Sequence, residues 1–154
     1  MATVNFAESA QRHWKDAETL STLGRLGNAG QLLGFSAECG LKAFYRCFFL
    51  PPAANGDIDW DAMKRADKKK YDEYHTHVNL LCRTVAVLAS SPDSSKYQSM
   101  IPSIGAFTTW STDQRYWSDA EHTRTCATEL PKWEQAAREV MAMLDAARKD
   151  GKLV

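Results

Sequence analysis

The chain has 154 residues, 44% of them hydrophobic and 25% charged, which is the balance of one soluble globular domain and excludes disordered and fibrous classes. Lys plus Arg and Asp plus Glu stand at 19 each, so no global positive field draws a nucleic acid and any RNA contact has to be local. No run approaches the ~20 consecutive apolar residues of a membrane span, and the start Met1-Ala2-Thr3-Val4-Asn5-Phe6 lacks the charged and apolar regions of a signal peptide, which predicts a cytoplasmic protein with no membrane partner.

From Phe6 to Leu26 the apolar residues Phe6, Ala10, Trp14, Ala17, Leu20 and Leu23 recur in steps of three and four, which predicts a first helix. Gly24 and Gly27 bracket a turn, and Asn28 has the chemistry of an N-cap for the next helix. That second helix runs to about Leu50. Its apolar surface (Leu32, Phe35, Cys39, Leu41, Ala43, Phe44, Phe48) is broad enough to make it the central one, and Pro51-Pro52 ends it.

Residues 51 to 60 read as a loop, with Asp59 capping a short helix over Asp61-Ala62-Met63-Lys64. A third long helix is predicted over Tyr71 to Ala89, with Tyr74, His77, Val78, Leu81, Val85 and Leu88 inward, until Ser90 to Ser95 breaks it. A short helical piece covers Lys96 to Ile101, and an irregular stretch leads to Ser111. Ser111-Thr112-Asp113-Gln114 has the capping-box arrangement. The last helix is placed at Glu129 to Lys149, with Thr128 as cap, Pro131 in its first turn, and Trp133, Ala137, Val140, Met141 and Leu144 inward. With no alternating strand pattern, the fold class is all-α, one domain over residues 1 to 154 built as an antiparallel four-to-five-helix bundle.

Several residues carry competing readings. Cys39, Cys47, Cys82 and Cys126 have neither disulfide nor zinc spacing and read as buried thiols. His75 and His77, two apart on a helix, point in nearly opposite directions, which argues against a metal site. Lys64-Arg65 and Lys68-Lys69-Lys70 form the densest basic cluster and would attract an RNA backbone, although Asp61, Asp67, Asp72 and Glu73 interrupt it and favour a solvated face. The glycines at 24, 27, 30 and 34 follow no strand and read as turn-making and close packing. Phe107, Trp110, Tyr116 and Trp117 suit core or interface packing, and exposed rings among them suit base stacking.

Ala37-Glu38-Cys39-Gly40-Leu41-Lys42-Ala43 resembles the most recognisable run of the HEPN family. Ala10 to Leu33 resembles that family's first helix and turn, His77-Val78-Asn79-Leu80-Leu81 its histidine-led third helix, and Arg115-Tyr116 its closing segment. The four stretches are collinear and cover nearly the whole chain. The resemblance implies a HEPN-type bundle that pairs as a homodimer, with an arginine and a histidine, here Arg115 and His122, acting on an RNA phosphodiester without metal or cofactor. Six residues separate the two, and on a continuous helix seven steps return to one face within about 20°.

In such a mechanism the ribose 2′-hydroxyl attacks its own phosphate, histidine moves protons, and the planar guanidinium pairs with phosphoryl oxygens. Asp119, four residues after Arg115, is placed to pair with it, and Glu38, on a helix predicted to be buried, calls for a cation, with Arg115 the candidate. Tyr116, Trp117, Lys68 and Lys69 are the candidate nucleic-acid contacts. Two functions stand side by side. One is a metal-independent endoribonuclease of toxin–antitoxin or defence type, with a cognate antitoxin. The other is a non-catalytic module binding a nucleotide or a partner and associated with a nucleotidyltransferase, the branch that Arg115-Tyr116 resembles.

Overall fold

The computed structural model describes residues 2–153. About three-quarters of the chain is helical, with no strand among the described residues. The long helices are α1 (Phe6–Thr22), α2 (Leu26–Phe48) and α7 (Asp119–Lys149), and between them lie α3 (Trp60–Ala66), α4 (Lys68–Tyr74), α5 (Val78–Leu81) and α6 (Ser95–Gln98). Three 3₁₀ segments, Cys82–Ser90, Ile104–Thr109 and Thr112–Tyr116, complete the helical content.

Asn5 starts α1 by accepting the Glu8 amide at 3.1 Å. The helix stops at Thr22, short of the predicted Leu26, where Gly24 takes a φ of +74°. α2 then begins two residues earlier than its predicted cap. Arg25 occupies the N-cap position, and Asn28 lies inside the first turn. α2 is the central helix, as its apolar breadth predicts. Ala29, Leu33, Ala37, Leu41, Phe44 and Tyr45 are buried along it, and it packs on both α1 and α7. α1 folds back antiparallel to α2 through the short turn. α7 runs parallel to α2, because Gly27 meets His122, Gly30 meets Leu130 and Trp133, and Gly40 meets Val140. This is the relation of the second and fourth helices in an up-and-down bundle.

The predicted third long helix is broken. α4 ends at Tyr74, His77 takes an extended conformation (φ −86°, ψ 167°) ahead of α5, and Cys82–Ser90 tightens to 3₁₀. The local sequence favours the break, since His75-Thr76-His77 and Thr84-Val85 are weak helix formers. The tertiary reason is the ring of His77, drawn to Glu38 on α2 with Nδ1 3.0 Å from Oε2.

α7 is longer than predicted. Its cap is Ser118, which accepts the Glu121 amide at 3.3 Å, and Asp119 and Glu121 suit the positive end of the helix. Thr128 and Pro131 are interior, so the apparent start at Glu129 is a proline tolerated inside a 31-residue helix. The cysteines divide. Cys82 and Cys126 are buried, Cys39 is half-buried, and Cys47 is exposed, contrary to the buried reading. Burial, then the neighbouring Glu38, pushes the Cys39 thiol up to about 11. No helix among the described residues is long and apolar enough to cross a membrane.

Candidate functional site

A cavity of about 360 Å³ opens where the first turns of α2 and α7 meet. Gly24, Arg25, Leu26, Gly27 and Asn28 form one wall, and Asp119, His122 and Thr123 form the other. Arg115 and Trp117 close it from the connecting segment. Arg115 and His122 therefore share a cavity, although not by the predicted route. Arg115 lies at the end of the 3₁₀ segment Thr112–Tyr116, Trp117 and Ser118 are extended, and His122 belongs to the first turn of α7. The chain turns between them, so no continuous helix aligns the two side chains.

The segment carrying Arg115 is fixed by a buried amide pair. Gln31 of α2 donates to the Ser111 carbonyl at 2.9 Å and to Gln114 Oε1 at 3.2 Å, while Gln114 donates to the Thr109 carbonyl at 3.2 Å. Ser111 does cap, accepting the Asp113 amide at 3.1 Å. Gln114 does not reach back as a capping box requires, because its side chain is buried against α2. Arg115, the next residue, is thereby held at the cavity edge.

His122 is positioned by the glycine opposite it. A Cβ on Gly27 would stand 2.8–2.9 Å from the Cγ, Cδ2 and Nδ1 atoms of the His122 ring. The imidazole thus lies directly on the backbone of α2. Trp117 also lies beside it, with ring centroids 6.0 Å apart. Trp117 and Tyr116 are exposed at 36% and 75%, and the Arg115 guanidinium lies 4.7 Å above the Tyr116 ring. Phe107 and Trp110, by contrast, are core residues.

Comparison with family models, curated proteins and solved structures finds no match.

The remaining candidates divide by location. Asp119 lines the cavity but forms no ion pair with Arg115 among the described residues. Glu38 is buried, and its partners are Lys42 at 2.8 Å and His77 at 3.0 Å, in place of the predicted Arg115. The pairing is local because Lys42 lies one turn further along the same helix. Glu38 therefore ties the 75–77 break to α2 and stands about 16 Å along the helix from Gly27.

Lys68 pairs with Asp72 at 2.8 Å, and Lys69 borders a separate groove with Asp72, Glu73 and Leu80. Neither lysine lines the Arg115–His122 cavity. His75 stacks on Tyr71 with centroids 4.7 Å apart. No group of three or more His, Cys, Asp or Glu is arranged to hold a metal ion among the described residues.

Sequence reasoning missed Arg25, Gly27 and Asn28 as site residues. The local signals there, Gly27 as part of a turn and Asn28 as a helix cap, point to a helix boundary and not to a site. With two guanidiniums, an imidazole, one carboxylate and an exposed indole, the arrangement suits an anionic ligand with a flat ring.

Proposed function

We propose that this protein is a metal-independent endoribonuclease-like HEPN protein of toxin–antitoxin or defence type, with Arg115 and His122 acting on an RNA phosphodiester. The observation that carries the reading is that these two residues, from separate elements, line one cavity beside exposed Trp117. His122 takes the proton of a ribose 2′-hydroxyl as its oxygen bonds to phosphorus. The bond to the departing 5′-oxygen breaks, and that oxygen receives the proton through the imidazole. Arg115 pairs with the phosphoryl oxygens as their charge grows. Trp117 and Tyr116 offer faces on which neighbouring bases stack, a sequence-tolerant contact.

The products are a 2′,3′-cyclic phosphate and a 5′-hydroxyl, formed in EDTA because the substrate supplies the nucleophile. His122→Ala lowers the rate on single-stranded RNA by about 10²–10⁴-fold, and Arg115→Lys lowers it by about 10²-fold because an ammonium cannot make two parallel contacts. Intact RNA after incubation with concentrated protein, or cleavage surviving both substitutions, defeats the enzyme reading.

A second reading, a nucleotide-binding or partner-binding module associated with a nucleotidyltransferase, draws on the Arg115 guanidinium lying against Tyr116. Saturable nucleotide binding without turnover selects it. We also propose a homodimer, since Leu23 and Leu80 leave apolar surface exposed away from the rings offered to bases. Light scattering at tens of micromolar reports twice the chain mass, and a monomer mass refutes it.

A further inference from the structure

The cavity holds one more cation than a single phosphodiester requires. Arg25 and Arg115 line it from different elements, α2's N-cap and the 3₁₀ segment Thr112–Tyr116. Neither forms an ion pair among the described residues, and Asp119 is the one carboxylate on the walls. A volume of about 360 Å³ falls at the lower end of the range for pockets that hold small organic ligands, more than one phosphate group fills.

Stability does not explain Arg25. It stands at the positive end of a 23-residue helix, where a cation is unfavourable. Asn5, Asp59, Asp67 and Ser118, at the corresponding positions of α1, α3, α4 and α7, each accept a backbone amide, which an arginine cannot do. A residue that weakens its own helix end and lines an open cavity that Arg115 also lines has the character of a ligand contact.

Resting on the cleavage reading above, we infer that Arg25 binds the phosphate next to the one addressed by Arg115 and His122, so that the ligand is a single RNA strand with at least two consecutive phosphates. Arg115 sits on the scissile phosphate, Arg25 grips its neighbour, and a base of the strand stacks on Trp117, which closes the cavity from the connecting segment.

Binding is measured with a 2′-O-methyl oligoribonucleotide, which lacks the attacking hydroxyl, and with a 2′-O-methyl dinucleoside monophosphate, which has a single phosphate. Each lost phosphate contact on a single strand flattens the slope of log affinity against log salt by about 0.7. Arg25→Ala is expected to flatten the oligonucleotide slope by that amount and weaken binding roughly tenfold, with the dinucleoside slope unmoved. Arg115→Ala flattens both slopes, and Arg25→Lys retains most of the slope. Circular dichroism confirms that the variants are folded.

If Arg25→Ala changes neither slope, or flattens the dinucleoside slope as well, the two-phosphate site is overturned while the cleavage reading stands. If both arginines contribute as expected but the unmodified RNA is never cut, the two-phosphate site stands and the cleavage reading fails. Absence of oligonucleotide binding overturns both.

Discussion

A single missing side chain sets the position of the candidate proton carrier. The His122 ring rests on Gly27, where an added Cβ would stand 2.8–2.9 Å from three ring atoms. Inside a helix, replacing glycine by alanine ordinarily stabilises by about 0.5–1 kcal/mol. Here the methyl meets a half-buried imidazole that has solvent to move into, so the ring yields before the backbone does. Gly27→Ala is therefore expected to leave the melting temperature unchanged or slightly raised and to lower the proposed RNA cleavage at least tenfold, because a displacement of about 1 Å at a reacting group can cost 10²-fold. Wild-type turnover in this variant would show that the contact does not place the imidazole. Glu38 makes the opposite point. Its carboxylate is satisfied by Lys42 and His77, so the cation its burial demands comes from Lys42, one turn along its own helix, and the 75–77 break adds a hydrogen bond.

At the scale of elements, the sequence exposed most where apolar periodicity was long and least where a tertiary contact overrode it. α1 and α2 were legible because their apolar residues recur every three or four positions over several turns. The 71–89 region showed the same period and still broke, since helical pattern does not reveal that the His77 ring has a buried carboxylate to meet. α7 was underestimated for a different reason. Asp119 to Thr128 buries only Cys126, so it has almost no apolar face to signal a helix, and Thr128 with Pro131 imitates a start. Arg115 and His122 were legible as residue types, but the geometry joining them was not, because it depends on Gln31 pinning the 111–114 turn from eighty residues away. Gly34 hides a similar dependence. Its bare backbone admits the Trp110 indole, whose Nε1 donates to the Gly30 carbonyl at 2.9 Å, and no local pattern links positions 30, 34 and 110.

Across the whole molecule, α2 separates the candidate site from the contact that closes the other end of the bundle. Tyr97 of α6 is buried against Phe44, with centroids 5.0 Å apart, and its hydroxyl donates to Asp150 at 2.6 Å. Lys96 meets the same Asp150 oxygen at 2.6 Å. Asp150 caps the C-terminus of α7, where a negative charge is unfavourable by itself. The bond from Lys96, then that from Tyr97, nevertheless holds its carboxyl below the usual carboxylate range. A carboxyl whose folded value lies below its unfolded one contributes stability that is fully present above the unfolded value, about 4, and is lost as pH falls through the folded value. Asp150→Asn keeps an acceptor for Tyr97 and removes the charge that Lys96 meets. The variant is expected to melt below wild type at a constant offset between pH 5 and 8, and the offset should shrink as the pH drops below about 4. Because Phe44 stands about 25 Å along α2 from Gly27, oligonucleotide affinity of the folded variant should match wild type. An offset that persists unchanged into acid, measured by thermal denaturation across the pH series, would show that the Asp150 charge does not carry this contact.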